Sequence, residues 1–156
     1  MQNFVDLKFS KLGANQYYDL SFTNGDFTKM AGLDTAVLIS LTAERRALES
    51  EVKEPRKRRG WVGNLINGFD AFEYGSKLWF LEQARATSEN ANKAITWTQN
   101  ALQWFIDDGI ADSIVVTTEY NELLQLIINI QFVRNNNIIF SRSYNLWENT
   151  FVNREI

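Results

Sequence analysis

The two ends of the chain show alternating apolar and polar residues. In the first thirty residues, apolar side chains occupy every second position of two short segments: Val5, Leu7 and Phe9, then Tyr18, Leu20 and Phe22. After Gly109 the alternation resumes in residues 114–120, 124–132 and 138–146. A period of two is typical of half-buried strands. The pattern predicts a small N-terminal meander and, after Gly109, a long C-terminal hairpin beside a third strand.

Between these regions the apolar positions follow a helical period. Residues 33–41 are apolar around nearly the whole circumference, so the first predicted helix must be enclosed by protein. Ser76 is placed to cap a second helix, which extends to Arg85. Thr87 or Ser88 is placed to cap a third helix, which ends at Gly109. Strands, then helices, then strands indicate an α+β domain, in which about three helices pack on one face of an antiparallel sheet.

Residues 49–60 interrupt this pattern. Five of the seven residues from Lys53 to Arg59 are cations, and the chain's single proline, Pro55, lies among them. Like charges at this density repel and stay solvated. The segment is therefore predicted to be an exposed basic loop, which ends at Gly60-Trp61.

Length and composition limit the classes of function. A chain of 156 residues predicts a single domain, 1–156, that can bury its own core. The formal net charge of −3 argues against a dedicated nucleic-acid binder. Cysteine and histidine are both absent, which excludes disulfides, thiolate metal sites and the most common general base. We predict no cofactor and no metal.

Carboxylates are the remaining candidates for catalysis. A glycosidase needs two of them about 5 to 10 Å apart with separated pKa values. Asp70 with Glu73, or Glu82 with Asp107, have suitable chemistry, but each is explained as simply by a solvated surface charge. No phosphate-binding glycine loop is present, because Gly60-Trp61-Val62-Gly63 lacks the required lysine. We predict that the chain is not an enzyme and has no small-molecule substrate.

The termini and apolar runs show no targeting or membrane signal. The first residues have no basic region followed by an apolar run, so no signal peptide is expected. The longest apolar runs fall far short of the roughly 20 residues of a membrane helix. We expect no membrane insertion.

Three features leave alternatives open. The basic loop fits docking onto an acidic protein surface, a solvated loop that keeps the chain soluble, or binding of phosphate and nucleic acid. Trp61 fits an interface hot spot or a cap over the chain's own core. The apolar C-terminal hairpin, which includes Ile139, fits either an exposed edge that pairs with another chain or an ordinary interior hairpin.

Four blocks of sequence carry a family resemblance. They begin at Leu33, Arg59, Gly75 and Ala101, and they read LDTAVLISLTxxRRA, RGWVGN, GSKLWxL and ALxWxxDDGIA. Their order and spacing over about residues 20–118 resemble the Mu-like phage baseplate wedge family. The family is similar, more distantly, to the sheath-initiating baseplate proteins of contractile tails.

The resemblance implies a structural role in a phage tail. In such tails six copies form a ring around the tail tube, within the wedge, and start the sheath. Expected partners are other wedge subunits, the tube or hub, and the sheath protein, in a virion assembled in the host cytoplasm. The alternatives are a tail-associated peptidoglycan hydrolase and a nucleic-acid-binding accessory protein.

The resemblance also limits which residues can be assigned. Related proteins have a Glu-Pro-Arg motif after their last helix, whereas Glu54-Pro55-Arg56 here precedes the second predicted helix, so its role is not transferred. By order, the related motif falls at Asp107-Asp108-Gly109. The predicted subunit-interface residues are Arg45, Arg46, Arg59, Trp61, Gly63, Asp107, Asp108 and Ile139.

Overall fold

The computed structural model describes residues 5–7, 9–11, 18–20, 22–23, 26–27, 29–66 and 73–152. The chain forms two compact units, Met1–Leu38 and Ile39–Ile156. The boundary between them falls inside helix α1, Asp34–Thr42.

Short antiparallel strands form the N-terminal unit. They are β1 Val5–Leu7, β2 Phe9–Lys11, β3 Tyr18–Leu20, β4 Phe22–Thr23, β5 Asp26–Phe27 and β6 Lys29–Ala31. β2 pairs with β3, β4 with β5, and β1 with β6.

The predicted N-terminal meander is therefore wrong in detail. Tyr18–Leu20 and Phe22–Thr23 belong to two different pairings, because β3 pairs with the preceding strand β2 and β4 pairs with the following strand β5. β1 then pairs with the distant β6 rather than with its neighbour in sequence. Asn24-Gly25, a pair that favours a tight turn between strands, lies outside the described residues, as does Thr28.

Helix α1 is present at the first predicted helix. Its buried residues lie all around the helix, as its apolar composition requires, and they include the fully buried Val37. Ile39 is the exception, with 46% of its surface exposed. Helix α1 begins at Asp34, and the Val37 amide donates to Leu33 O at 2.9 Å.

The helices of the C-terminal unit are shorter than predicted. They are α2 Gly63–Ile66, α3 Ser88–Leu102 and α4 Trp104–Asp107, with 3₁₀ turns at Pro55–Lys57 and Leu78–Leu81. Thr87 caps α3 as predicted, and its Oγ1 accepts from the Asn90 amide at 3.2 Å. The third predicted helix divides at Gln103, and Gly109 follows α4 with a φ of +68°.

The second predicted helix, from Ser76 to Arg85, is wrong. Only the 3₁₀ turn Leu78–Leu81 forms there. Ser76 instead bonds through both backbone groups to a distant segment, donating to Ala43 O at 2.8 Å and accepting from the Arg45 amide at 2.9 Å. A residue engaged in this way in a strand-like bridge cannot begin a helix.

A four-stranded antiparallel sheet closes the C-terminal unit. Its strands are β7 Ser113–Tyr120, β8 Leu126–Arg134, β9 Asn137–Asn145 and β10 Thr150–Val152, in the order β10-β9-β8-β7. The three alternating segments are confirmed as β7, β8 and β9. The short β10, which sequence analysis missed, pairs with Ser143 to Asn145 of β9.

Helix α3 packs on the sheet and encloses the core. Tyr120 Oη donates to Thr87 O at 3.0 Å, which joins the end of β7 to the start of α3. Inside, Phe105 meets Phe132 edge to face at a ring distance of 4.8 Å, and both are fully buried. Each such side chain stabilises the fold by about 1.5–3 kcal/mol. This core holds α3 and α4 in place beside the candidate site.

Candidate functional site

Three backbone segments meet at the base of the basic loop. The Trp61 amide donates to Glu44 O at 2.8 Å, and the Ala47 amide donates to Arg58 O at 2.9 Å. These two bonds join the segment before the loop to the segment after it. Residue 44 also forms a parallel β-bridge with Ser76, which belongs to the third segment. Both ends of the loop are therefore held by backbone hydrogen bonds among residues 44–47, 58–61 and 76, which we call the platform.

Gly75 permits this close approach. Its φ is +105°, and a Cβ placed there would lie 2.4 Å from Ala43 O. Any other residue would separate the segments that carry Arg45 and Ser76. The same platform places four predicted interface residues close together: Arg45, Arg46, Arg59 and Trp61. We call these four residues the arginine-tryptophan cluster.

Arg59 is held by two carboxylates and an aromatic ring. Its Nη1 donates to Glu44 Oε1 at 2.8 Å and to Glu82 Oε2 at 3.3 Å. The guanidinium carbon lies 4.8 Å from the centre of the Trp79 ring. Partial burial lowers the pKa of Arg59, but Glu44 and then Glu82 outweigh it and raise the pKa above its ordinary value. Arg59 is thus a permanent cation that ties the loop down.

The other two arginines of the cluster differ in their partners. Arg45 Nε donates to Glu73 Oε2 at 3.0 Å. Arg46 donates to two carbonyl oxygens, Arg59 O at 3.1 Å and Pro55 O at 3.5 Å. Within the described residues Arg46 makes no ion pair with a carboxylate.

The basic loop itself is more strongly tethered than its composition indicates. Arg58 is only 15% exposed, because it donates to Val52 O at 2.8 Å and to Lys53 O at 3.0 Å. Lys57 pairs with Glu54. The loop supplies its own acceptors, so its cations are not all left to repel one another in solvent.

Trp61 lies at the exposed end of an aromatic row. Its ring lies against Gly63, where a Cβ would come within 2.3 Å of Trp61 Cη2. It meets Tyr74 edge to face at 6.4 Å, and Tyr74 meets Trp104 at 6.2 Å. Trp61 remains 46% exposed and its neighbour Val62 64% exposed.

Asn64 fixes this row in place. Its side chain donates to Tyr74 O at 2.8 Å and accepts from the Tyr74 amide at 3.0 Å. At the inner end, Trp104 Nε1 donates to Ser40 Oγ at 3.1 Å. The ring of Trp61 is therefore displayed on a rigid support, a geometry suited to contact with another protein.

A cavity of about 280 Å³ adjoins the cluster. Its cationic lining residues are Arg45, Arg46 and Lys77. Trp97 and Leu48 supply its apolar walls, and Leu48 is 60% exposed. The cavity is positively charged although the chain carries a net charge of −3.

The remaining predicted site residues are spread more widely. Gly63 lies beneath Trp61, whereas Asp107 and Asp108 are exposed at the end of α4. Ile139 belongs to β9, where it is the extra residue of a β-bulge between the pairs formed by Ile138 and Phe140. It is 39% exposed.

Sequence analysis missed several exposed apolar residues. Leu48, Tyr74, Leu123 and Leu124 are all exposed. Tyr74 falls in residues 65–74, whose apolar pattern predicts neither a helix nor a strand. Two adjacent leucines in a hairpin connection, at positions 123 and 124, were the signal that could have revealed the exposure of these two residues.

The carboxylates considered for catalysis have other partners. Glu73 pairs with Arg45, Glu82 pairs with Arg59, and Asp107 accepts from Gln103 Nε2 at 3.0 Å. Asp70 lies outside the described residues. In the part of the chain that is described, no group of three carboxylates converges on a possible metal position. No helix in that part has the length and apolar character needed to cross a membrane.

Comparison with known proteins identifies the family. The sequence profile described as phage protein GP46 matches residues 33–137. The chain is 37% identical over 101 residues to the Mu-like prophage FluMu protein gp46 of Haemophilus influenzae, which covers 65% of this chain and 67% of that protein. It is 35% identical over 89 residues to the baseplate protein gp46 of Escherichia phage Mu, which covers 56% of this chain and 59% of that protein.

The range that the profile matches includes the arginine-tryptophan cluster. Neither relative is named for an enzymatic activity, which agrees with the prediction that the chain is not an enzyme. The resemblance to the Mu-like phage family is confirmed. Because the profile covers more than half of its residues, the chain belongs to the phage protein GP46 family.

Proposed function

We propose that the chain is a structural protein of a phage tail baseplate and acts through contacts with other tail proteins. The phage Mu relative is named a baseplate protein, and the family match extends over the whole arginine-tryptophan cluster. A baseplate protein is part of the virion tail, so the chain is located there.

The observation that carries the proposal is the rigid display of Trp61. A tryptophan that served only as a cap over the chain's own core would be covered, but nearly half of this side chain is exposed. Its support by Gly63 and Tyr74 reduces the entropy that binding would otherwise cost. Tryptophan and arginine are the residues most enriched at interface hot spots.

The finer role we propose is that of a wedge and sheath-initiating protein, with six copies in a ring around the tail tube. The residue blocks described above support it through their resemblance to that class. The proposed partners are other wedge subunits, the tube or hub, and the sheath protein. Asp107 and Asp108 would contribute to these contacts from the end of α4.

The edge of β9 supports the proposed contact with sheath. β10 pairs with β9 only at Ser143 to Asn145, so in the described residues no strand pairs with the outer edge of β9 from Asn137 to Ser141. An uncovered edge can accept a strand from another chain. The bulge at Ile139 twists this edge, which limits unwanted pairing before assembly.

The ion pairs of the loop argue against a nucleic-acid-binding role. Binding to phosphates requires cations that can neutralise them and release counterions. Arg58 and Arg59 are instead occupied by carbonyl oxygens and carboxylates of the chain itself. Nothing in the described geometry favours a peptidoglycan hydrolase.

Incorporation of variants into tails tests the proposal. Trp61→Ala in the source phage should reduce the amount of this chain in purified tails at least tenfold, a loss of about 1.4 kcal/mol or more. Trp147→Ala is the matched control, because Trp147 is 43% exposed and lies outside the cluster. Normal incorporation of Trp61→Ala, with folding verified by circular dichroism, would contradict the proposed interface.

A further inference from the structure

Charge is unevenly distributed along this chain. Residues 44–59 contain seven cations, Arg45, Arg46, Lys53, Arg56, Lys57, Arg58 and Arg59, and four glutamates, which leaves a net charge of +3. Residues 94–133 contain no lysine or arginine and five acidic residues: Asp107, Asp108, Asp112, Glu119 and Glu122. Glu119 and Glu122 lie at the end of β7 that leads into the turn, whereas Asp107, Asp108 and Asp112 precede the other end of the strand. The carboxylates at the turn can be attracted to a cationic surface on another copy.

The turn between β7 and β8 displays two leucines next to Glu122. This leucine turn comprises residues 121–125. Leu123 is 76% exposed and Leu124 65% exposed. Leu124 has a φ of +58°, a conformation that suits glycine or asparagine and strains leucine. A leucine kept exposed in a strained conformation points to a use for the side chain outside the monomer.

Side-chain hydrogen bonds hold the leucine turn in one shape. Asn121 Oδ1 accepts from the Leu123 amide at 3.0 Å and from the Gln125 amide at 2.8 Å. Gln125 Oε1 in turn accepts from Asn145 Nδ2 of β9 at 3.0 Å. The turn is thus preorganised, and docking would not require much additional ordering.

The cavity beside the arginine-tryptophan cluster has complementary chemistry. Of its three cations, Arg45 pairs with Glu73 and Lys77 with Glu51. Arg46 binds carbonyl oxygens and, as far as the described chain shows, no carboxylate. Leu48 and Trp97 provide apolar surface next to it. A volume of about 280 Å³ is small for a cofactor and suits one or two side chains.

We propose that the leucine turn of one copy docks into this cavity of a second copy of the chain. The Glu122 carboxylate pairs with Arg46 of the other copy. Leu123 and Leu124 cover the apolar surface of Leu48 and Trp97. The proposal goes beyond the baseplate role, because it names the chain itself as a partner and assigns both surfaces of the contact.

The two surfaces are too far apart for one copy to fill its own cavity. Tyr120, which precedes the leucine turn, bonds to Thr87 at the start of α3. Trp97 lies ten residues further along α3, or about 15 Å at 1.5 Å per residue. The contact therefore joins two different surfaces, the leucine turn of one copy and the cavity of another. Each added copy leaves a turn or a cavity free to bind a further copy.

Sedimentation velocity of the purified chain tests the proposal directly. Between about 1 µM and about 1 mM, the range of weak specific interfaces, the average mass should rise with concentration and fall as salt is added. Arg46→Glu and Glu122→Arg should each weaken association at least about tenfold. The two substitutions together should restore it, since they exchange the charges of one pair.

Arg56→Glu is the matched control, because it makes the same charge change at an exposed position outside the cavity lining. Leu124→Asn is a second test, since asparagine accepts the backbone conformation while removing the leucine. It should weaken association and leave the melting temperature equal or higher. A chain that stays monomeric at all concentrations contradicts the proposal, and so does association that none of these changes alters.

The experiment separates this proposal from the proposed function. It uses purified protein alone, so self-association can fail while the chain still enters tails. Conversely, a chain that self-associates by this contact but is absent from tails would overturn the baseplate role and leave the present inference intact.

Discussion

Arg59 stacks over Trp79, with its guanidinium carbon 4.8 Å from the centre of the ring. Trp79 is itself fixed, since its Nε1 donates to Arg45 O at 3.0 Å and its ring stacks on Phe80 at 3.9 Å. One side chain thus joins the end of the basic loop to the 3₁₀ turn Leu78–Leu81. An arginine that was expected to serve only a partner also stabilises the monomer.

Replacement of Arg59 should therefore lower stability. Arg59→Ala removes a cation–π contact and two partly exposed ion pairs, so the free energy of unfolding should fall by about 1–2 kcal/mol. Urea titration monitored by circular dichroism measures it. Arg56→Ala is the control and should change stability by less than about 0.5 kcal/mol. Equal effects of the two substitutions would contradict this account of Arg59.

Two glycines with positive φ should respond differently to alanine. At Gly75 the new Cβ would lie 2.4 Å from Ala43 O, so Gly75→Ala should cost at least about 2 kcal/mol. At Gly109 the φ is +68° and no atom lies within 4 Å, so Gly109→Ala should cost about 1 kcal/mol. Thermal unfolding of both variants tests the difference, and the reverse order would show that the bridge between residue 44 and Ser76 is not needed.

Removal of the strained leucine should not harm the fold. Leu124→Asn relieves a positive φ of +58° and should raise the free energy of unfolding by up to about 1 kcal/mol. Leu123→Asn, at an equally exposed neighbour without positive φ, should be close to neutral. Chemical denaturation of the two variants tests this, and a large loss of stability in Leu124→Asn would mean that this leucine packs within the monomer.

Stability should depend on pH through Glu51. Burial raises its pKa, but hydrogen bonds from Lys77 and the Leu48 amide outweigh this and lower the pKa below its ordinary value of 4.5. The folded-state pKa is therefore below the unfolded-state pKa. The ionised carboxylate therefore stabilises the fold fully at pH values above the ordinary pKa of 4.5. This contribution is lost as the pH falls through the lowered, folded-state pKa.

Glu51→Gln removes this contribution. As the pH is lowered from 7 to well below 4.5, the variant and wild type should become similar in stability, whereas at pH 7 wild type should be more stable by under about 1 kcal/mol, as for other surface pairs. Urea titrations at the two pH values measure the difference. If the stability difference between variant and wild type were the same at both pH values, the effect would come from packing and not from the charge of Glu51.

The parts of the fold that the sequence predicted depend on local chemistry. Val37 belongs to a helix without a polar face, Thr87 satisfies the start of α3 with its own hydroxyl, and β8 alternates from Ile128 to Phe132. Such features are determined by neighbours in sequence, so they can be read from it.

The errors arise from pairing between distant segments. Ser76 has a good helix-capping side chain, but its backbone pairs with residues 43 and 45, more than thirty positions away. Its Oγ donates to Leu41 O at 2.6 Å and accepts from the Leu78 amide at 3.2 Å, so it caps only the short 3₁₀ turn. β10 forms because Phe151 pairs with Tyr144 across the sheet, and three residues show no period of their own.

The candidate site was predicted only in part. The composition of the loop indicated free cations, whereas Glu44 and Glu82, distant in sequence, occupy Arg59. The position of the Trp61 ring could not be inferred from the sequence, because it depends on an edge-to-face contact with Tyr74, thirteen positions away. Residue identity marked the cluster, but its geometry depends on contacts between separate segments.

Cryo-electron microscopy of the intact tail of the source particle tests the central claim most directly. The proposed function predicts density for this chain between tube and sheath at the baseplate, with Trp61 covered by a neighbouring subunit. Complete tails without this chain, or with the chain present and Trp61 facing solvent, would contradict the proposed interface.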